Sequence, residues 1–264
     1  MAERKEPTRD SANKTLEDYP RPSVAVDTAV LTVPESGRLS VLLTLANDAA
    51  ASGGASGSPG EWRLPGTFLH PDETLSDAVL RSLREKAGVE GLRPRQLRVF
   101  DAPGRDNRGW VLSVAHLDAV RADRIPLIER TRLVPIDKLP TLTYDHGAIV
   151  AAAVDALRDE YRHEPDPAGL LPADPDAVVA DATRPTPDAA RPPEPDGAFT
   201  MRDLRHLHEA VLGERLVADT FRRTMLPGLR ATRQMRRGVR GKPAELFLRA
   251  GGLRPRKWRT LLLD

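Results

Sequence analysis

The sequence predicts an α/β domain followed by a smaller C-terminal domain made of helices and a basic hairpin. Three observations support this division. The 264 residues exceed one average domain, strand-like and helix-like apolar patterns fill residues 23–163, and charge is uneven near the end of the chain. Residues 163–198 carry 8 Asp and Glu against 2 Lys and Arg, whereas residues 199–264 carry 16 Lys and Arg against 6 Asp and Glu, a net charge of +10. This excess of positive charge indicates an anionic partner.

Composition narrows the class of protein and its environment. Cysteine is absent, which excludes disulfides and thiolate metal sites and favours a reducing cytosol. No apolar run approaches the roughly 18 residues of a membrane span, and residues 1–22 are polar, without the hydrophobic core of a signal peptide. We therefore expect a cytoplasmic protein with no membrane partner and a disordered tail at residues 1–22.

The α/β domain begins with two β-rich segments. VAVDTAVLTV and LSVLLTLA are joined by the turn-like PESGR and predict a hairpin. The Gly- and Ser-rich residues 47–60 predict a flexible surface loop. Later segments continue the pattern: strands are predicted at RQLRVF, WVLSVAHL and LVPID, and a helix over residues 145–161.

Residues 66–89, GTFLHPDETLSDAVLRSLREKAGV, follow most of a known motif, the Nudix box G-x5-E-x7-R-E-U-x-E-E-x-G-U, in which U is aliphatic. The residues in register are Glu73, Arg81, Leu83, Glu85, Gly88 and Val89. Two of the three carboxylates with which that box binds metal are replaced, by Ser82 and Lys86. Only Glu85 remains of the three.

The loss of these carboxylates bears on catalysis. Ser82, Glu85 and Lys86 are spaced i, i+3, i+4 and so share one helical face. In an active Nudix enzyme this face holds Mg²⁺, a hard cation that requires carboxylate oxygens, whereas the Lys86 ammonium would repel a cation. We therefore expect no catalytic residue and no bound metal, with Mg²⁺ needed only if hydrolysis is retained. The alternative is an amphipathic helix that resembles the motif by chance.

The segment after residue 163 has a different composition. Residues 164–198 contain nine prolines and no clear periodicity, which predicts a disordered acidic linker. Residues 169–172 are a candidate for a short anchored patch within it. Because a long tether transmits strain poorly, communication between the domains would require them to dock against each other.

The C-terminal domain, residues 199–264, has the element order of a winged helix-turn-helix: helix, turn, helix, basic hairpin. Its first helix is expected to run from an N-cap at Thr200, with Asp203 three residues later, to Gly213. The second helix, in VADTFRRTML, offers Val217, Phe221 and Leu226 for packing. GLRATRQMRRGVRGKPAELFLRAGG predicts the hairpin, or wing.

A winged helix reads DNA with its second helix in the major groove and holds phosphates with its hairpin. Thr220, Arg222 and Arg223 lie on the helix that would enter the groove, and the arginine fork matches guanine O6 and N7 or two phosphate oxygens. The basic residues expected to supply sequence-independent attraction from the wing are Arg233, Arg236, Arg237, Arg240 and Lys242. The alternative is a solvated basic face in an arginine-rich chain.

The insert DAPGRDNRG, between two predicted strands, is a second candidate cluster. Arg105 and Arg108 could present guanidinium groups to a diphosphate, and Asp106 could present a carboxylate to a ribose hydroxyl. The alternative is a turn stabilised by Asp106 and Asn107, with both arginines facing water. The residues of the insert leave both interpretations open.

Several segments together resemble the Nudix-related transcriptional regulators, the NrtR family. They are RPSVAVDTAVLTV, the altered box, RDNRGW, TLTYDHGAIV, FTMRDLRHLHEAVLGERLVADTFRRTML and GKPAELF. The match covers most of residues 20–251 and departs at the Gly/Ser loop, at the long acidic linker and at Lys242, where the family has arginine. The resemblance implies a Nudix-like α/β/α sandwich with a mixed sheet, fused to a winged helix-turn-helix.

The resemblance also implies a function. Family members form homodimers that bind double-stranded DNA at a palindromic operator and control NAD or related nucleotide and sugar metabolism. We therefore expect a transcriptional regulator, most simply a repressor, that requires no cofactor and senses ADP-ribose or a similar nucleoside diphosphate. The ligand-binding residues carried over are Arg63, Phe68, Glu85, Arg105, Asp106 and Arg108. Tyr144, Asp145 and His146 match the family's F/Y-D-H, or else cap a helix.

Two rival functions stay open at this point. The first is an active Nudix pyrophosphatase that acts on ADP-ribose-like substrates and finds carboxylates outside the box to hold Mg²⁺. The second is a module that binds RNA, which the scarcity of aromatic platforms for stacking bases disfavours.

Overall fold

The computed structural model describes residues 8–46, 61–171, 197–236 and 242–250. The strands in these ranges are β1 (Ser23–Thr32), β2 (Ser40–Leu45), β3 (Trp62–Arg63), β4 (Gly66–Phe68), β5 (Arg95–Phe100), β6 (Val111–Ala119), β7 (Thr131–Pro135), β8 (Phe199–Thr200), β9 (Leu229–Arg236) and β10 (Ala244–Arg249). The helices are α1 (Leu75–Ala87), α2 (His146–His163), α3 (Met201–Leu212) and α4 (Ala218–Met225). Within the described ranges, we find no helix of the length and apolarity that crossing a bilayer requires.

A mixed sheet of seven strands forms the centre of the first domain. Its order is β3-β2-β1-β6-β5, with β4 also paired to β1 and β7 to β2. β1 and β2 form the expected antiparallel hairpin, whereas β1 runs parallel to β6 from the pair Ser23 and Val111 to the pair Leu31 and Ala119. β1 and β6 are buried along almost their whole length, as expected for central strands covered on both faces.

The two helices of this domain cover opposite faces of the sheet. Because side chains alternate along a strand, Ala29 and Leu31 of β1 belong to the core beneath α2, and Val26 and Val30 belong to the core beneath α1. The α/β/α sandwich with a mixed sheet is therefore confirmed. The helix expected to carry Ser82, Glu85 and Lys86 is present as α1. It begins after a Thr74 N-cap and ends at Gly88, whose positive φ of 64° suits glycine.

The C-terminal domain is a winged helix, as expected from its element order. α3 and α4 pack against a sheet of order β8-β10-β9, and Thr200 caps α3 by accepting a hydrogen bond from the Asp203 backbone at 3.1 Å. The side chains of its core are Phe199, Leu204, Phe221, Met225 and Phe247.

One packing expectation for this domain was wrong. Val217 and Leu226 are 72% and 36% exposed, and Met225 is buried instead. The reason is that α4 begins at Ala218, so Val217 precedes the helix, while Phe221 and Met225 are one turn apart and share its inward face.

The segment expected to be a disordered linker contains packed residues. Within residues 164–171, Asp166 and Leu170 are buried, so the packed part begins before the anchored patch proposed at residues 169–172. Residues 172–196 lie outside the described part of the chain. Of the expected disordered tail, residues 8–22 include a short exposed 3-10 helix, Leu16–Asp18, while residues 1–7 and the Gly/Ser loop at 47–60 lie outside the described ranges.

The two domains share a continuous core. Leu207 and Val211 of α3 pack in the same apolar cluster as Leu157 and Tyr161 of α2, and Arg158 Nε donates to the Val211 carbonyl at 3.1 Å. α3 therefore serves both domains: Leu204 completes the winged-helix core, and the next turn docks on the sandwich. The docking that communication between the domains requires is present.

Candidate ligand pocket and DNA-binding surface

A cavity of about 470 Å³ opens between one end of the sheet, the last turns of α1, the loop that joins β5 to β6 and the start of α2. The structure brings together on its lining all six residues expected to bind ligand, namely Arg63, Phe68, Glu85, Arg105, Asp106 and Arg108. Their contact with a ligand stays a prediction, but five separate segments of the chain line this cavity.

Asp27, which the sequence reasoning missed, is buried in the cavity wall on β1. Its carboxylate accepts from Ser113 Oγ at 2.6 Å and lies 3.3 Å from His146 Nε2 and 3.7 Å from the Arg105 guanidinium. Burial opposes ionisation of Asp27, but the hydrogen bonds from the His146 imidazole and the Ser113 hydroxyl, together with the Arg105 charge, outweigh it and lower the pKa of Asp27 to about 2. Asp27 could have been found from the sequence, because it is a carboxylate inside the apolar run VAVDTAVLTV. A charge at a buried position requires partners, and this requirement marks it as a candidate site residue.

Residue 66 is a glycine in close contact with Asp27, which leaves no room there for a side chain. A Cβ at Gly66 would lie 1.9 Å from Asp27 Oδ1 and 2.9 Å from the Val26 carbonyl. Only glycine therefore lets β4 approach β1 this closely.

The loop between β5 and β6 is held by its own charged residues. Arg105 is 4% exposed in its side chain and donates through Nε to Asp145 Oδ2 at 2.8 Å. Asp106 accepts from both the backbone N–H and Nε of Arg108 at 2.9 Å. The alternative is correct in that Asp106 stabilises the turn, but its placement of both arginines facing water is wrong, because Arg105 is buried against carboxylates.

The Tyr-Asp-His segment joins the cavity to the start of α2. Asp145 occupies the N-cap position of α2, but its side chain makes no capping hydrogen bond and pairs with Arg105 instead. His146 Nδ1 accepts from the Leu64 backbone at 3.1 Å, so Nε2 is the protonated nitrogen that faces Asp27. The interpretation of Asp145 as a side-chain cap is therefore wrong, and the segment belongs to the cavity wall.

Aromatic rings line the same cavity beside the cations. The Arg108 guanidinium lies 5.0 Å from the centroid of the Phe68 ring and 5.5 Å from that of Tyr144, within the range of cation–π attraction. Tyr144 has a positive φ of 55°, an uncommon conformation for a bulky residue. A cavity with these groups can bind an anion and stack a planar ring.

Two residues of the box have a structural role. Arg81 donates through Nε to Glu73 Oε1 at 2.7 Å and through a terminal nitrogen to Glu73 Oε2 at 2.9 Å. The same guanidinium also donates to the Phe68 carbonyl at 3.0 Å. The Arg81 guanidinium therefore holds the segment between β4 and α1 against the helix. The box keeps the conformation of this segment even though two of its metal ligands are replaced.

The metal-binding face of the box does not fit Mg²⁺. Ser82 is fully buried, the Glu85 side chain is 54% exposed and 3.8 Å from Arg81, and Lys86 Nζ donates to the Gly66 carbonyl. Burial, helped by the charge of Arg63, lowers the pKa of Lys86 to about 8. In the ranges that the structure describes, no group of three or more His, Asp or Glu side chains could hold a metal ion.

The proposed DNA-reading residues differ in orientation on α4. Phe221 and Met225 point into the core, so the helical period turns Thr220 and Arg223 outward. Arg222 lies on the flank, 3.8 Å from Glu245 Oε2 and 5.6 Å from the Phe247 ring centroid. The Arg223 side chain therefore points away from the core, and contact of either arginine with DNA stays a prediction.

The wing residues are placed differently from one another. Arg233 and Lys242 are exposed, whereas Arg236 donates to Asp203 Oδ2 at 3.1 Å and so ties the wing to the start of α3. Arg237 and Arg240 lie outside the described residues. Contact of these residues with DNA stays a prediction.

The first domain is an α/β/α sandwich with a cavity large enough for a nucleotide, and it is docked onto a winged helix. This combination places the chain in the class of ligand-binding proteins that carry a DNA-binding domain. Comparison with family models agrees with each half: residues 24–153 match the NUDIX domain, and residues 196–248 match the NrtR DNA-binding winged helix domain. The chain therefore joins a NUDIX domain to an NrtR DNA-binding winged helix domain.

Individual relatives match either most of the chain or a shorter part of it. The chain is 25% identical over 239 residues to the ADPR responsive transcriptional repressor NtrR of Acinetobacter baylyi, covering 87% of this chain and 83% of that protein. It is 25% identical to Shewanella oneidensis NrtR, solved in complex with a 27mer DNA, with a TM-score of 0.59 over 86% of this chain and 93% of that one. It is also 30% identical over 94 residues to an ADP-ribose pyrophosphatase of Methanocaldococcus jannaschii, covering 34% of this chain and 56% of that protein.

Proposed function

We propose that this protein is a ligand-responsive DNA-binding repressor whose effector is ADP-ribose or a related nucleoside diphosphate. The observation that carries the proposal is a cavity lined by cations and aromatic rings, on a domain that shares its core with a winged helix. The ADPR-responsive repressor of Acinetobacter baylyi and the DNA complex of the Shewanella oneidensis protein support it. A regulator of this kind acts on genomic DNA, which places its work in the cytoplasm.

The chemistry of the cavity suits a nucleoside diphosphate. Arg63, Lys86 and Arg108 bring three cationic groups to the lining, and guanidinium groups match phosphate oxygens in pairs. Phe68 and Tyr144 offer ring faces on which a base can stack. A volume of about 470 Å³ is in the range of cavities that bind small molecules.

Helix α2 connects this cavity to the DNA-binding domain. His146, its first residue, lines the cavity, and Tyr161, near its last turn, is buried at the docking interface with α3. Eighteen residues of helix span about 27 Å. A ligand that moves the start of α2 would shift the winged helix, provided that it binds the two arrangements with different affinity.

We also propose a homodimer on a palindromic operator. One small winged helix makes few contacts with DNA, and a palindrome rewards two copies related by two-fold symmetry. The controlled genes would belong to NAD metabolism or to related nucleotide and sugar metabolism, in keeping with the family resemblance.

A gel-shift titration on the promoter DNA beside the protein's own gene tests this proposal. We expect a specific shift, and we expect ADP-ribose to change the apparent Kd for DNA by about fivefold or more, as coupled sites commonly do. A scrambled promoter of equal length and AMP in place of ADP-ribose are the controls. Absence of a specific shift at low salt would remove the regulator assignment.

The rival is an active pyrophosphatase, which Glu85 and the relative from Methanocaldococcus jannaschii favour. We expect no release of AMP from ADP-ribose in the presence of Mg²⁺, because the box face presents one carboxylate beside the Lys86 ammonium. Product analysis by chromatography is the measurement. Turnover that is lost in Glu85→Gln would establish the enzyme instead of the pure sensor.

A further inference from the structure

Lys86 occupies the position at which an active Nudix box has a metal-binding carboxylate. We infer that the Lys86 ammonium takes the place of the metal ion, so that the cavity binds a nucleoside diphosphate without Mg²⁺. This inference rests on the proposed nucleotide effector and adds how its diphosphate would be held.

The position of the ammonium supports this inference. Lys86 lines the cavity, and its Nζ bridges α1 and β4 by donating to the Gly66 carbonyl. An ammonium has three N–H donors, and this bond uses one of them. The bond also holds the charge on the last turn of α1, on the helical face that carries Ser82 and Glu85.

The carboxylates of the cavity are unsuited to a divalent cation. Asp27 is already engaged by Ser113, His146 and Arg105, and Asp106 and Asp145 are paired with arginines. Glu85 is the remaining metal-binding carboxylate of the box, and a metal bound to it would stand close to the Lys86 ammonium. The Coulomb repulsion in such a pair is large where water is partly excluded.

The charge balance of the cavity favours an anion instead. Arg63, Lys86 and Arg108 bring three cationic groups to the lining of the same cavity. A diphosphate between them would satisfy three cations at once, and hydrogen bonds between charged partners are about twice as strong as neutral ones. The expected consequence is an effector response that does not depend on the Mg²⁺ concentration.

Calorimetric titration of the full chain with ADP-ribose, in EDTA and in excess Mg²⁺, tests the inference. We expect the wild-type Kd to agree within about twofold between the two conditions. Lys86→Met should weaken binding by about tenfold or more in both conditions, as expected for loss of a hydrogen bond between charged groups. Lys86→Arg, which keeps the charge, should bind within about fivefold of wild type. Lys138→Met, an exposed lysine outside the cavity, is the matched control and should leave the Kd unchanged.

The titration distinguishes failure of Mg²⁺-independent binding from failure of the ADP-ribose assignment. Wild-type binding that disappears in EDTA and returns with Mg²⁺ would overturn the inference and leave the effector assignment intact. An unchanged Kd in a folded Lys86→Met variant would also overturn it. Failure of the wild type to bind ADP-ribose in either condition would contradict the effector assignment itself. The comparison in EDTA needs no variant, so it decides the question even if Lys86→Met does not fold.

Discussion

Asp166→Ala is expected to lower the free energy of unfolding by about 3–5 kcal/mol, the range seen when one partner of a buried ion pair is removed. Asp166 is fully buried at the junction between the domains, and its carboxylate accepts from the Tyr161 hydroxyl at 2.7 Å and the Leu170 backbone at 2.7 Å. It also forms an ion pair with Arg249 of β10. Alanine would leave the part-buried guanidinium and the buried Tyr161 hydroxyl without this acceptor.

The same residue joins three parts of the fold. Its backbone N–H donates to His208 Nε2 of α3 at 3.3 Å, its side chain binds the end of α2, and Arg249 lies in the winged-helix sheet. Its positive φ of 49° is a conformation that Asp and Asn tolerate better than most residues. Asp166→Asn therefore keeps the shape and the backbone conformation while removing the charge.

Chemical denaturation measures the stability effect, and gel shifts with and without ADP-ribose measure communication between the domains. We expect folded Asp166→Asn to bind both DNA and ADP-ribose but to show a weaker effect of one on the other, because the ion pair that links this junction to Arg249 of the winged helix is lost. Asp159→Ala, at an exposed position on the same helix, should change stability by less than about 0.5 kcal/mol. If Asp166→Ala were as stable as Asp159→Ala, the junction would not hold the domains together.

Arg222→Ala combined with Arg223→Ala is expected to abolish specific DNA binding while leaving the affinity for ADP-ribose intact. A side chain that reads a base contributes about 1–3 kcal/mol, or roughly tenfold to a hundredfold in Kd. The structure adds an order to this prediction: Arg223→Ala alone should weaken binding more than Arg222→Ala alone, because Arg222 turns toward Glu245 and Phe247.

Fluorescence anisotropy on operator and scrambled DNA would measure both effects. Arg84→Ala is a matched control, since Arg84 is exposed on α1, on the face of the sheet opposite to the docked winged helix. Removal of the same charge there should leave the preference for operator DNA unchanged. Parallel loss of DNA and ADP-ribose binding in the double variant would indicate misfolding instead of a lost contact.

Much of the fold could be predicted because its signals are local. The β1–β2 hairpin, the capped helix at Thr200 and the α1 helix that ends at Gly88 all follow from patterns within one or two turns of chain. The error at Val217 and Leu226 also comes from reliance on local patterns. Both residues are apolar, but the inward face depends on where the helix starts, and a local pattern places that start only to within a residue or two.

The candidate site was predictable only in part. Arg105 and Arg108 stood out as charges on a short loop, but Asp27 is distant in sequence from Ser113 and His146, and the parallel pairing of β1 with β6 is what brings it beside Ser113. Lys86 was visible as a lost metal ligand, whereas its bond to Gly66 depends on how α1 crosses β4. Side-chain partners of this kind come from non-local strand pairing, which no spacing rule encodes.

The sequence by itself determined the two domain types, the resemblance to the NrtR regulators and the altered box, because periodicity, capping residues and motif spacing are properties of contiguous chain. Only the tertiary structure decided that residues 164–171 pack as a junction and that α2 runs from the cavity to the winged helix. The physical reason is that the proline-rich composition of this segment predicts disorder on average, while burial of one carboxylate with Tyr161 and Arg249 stabilises a single conformation. That buried contact depends on three elements that meet only when the chain is folded.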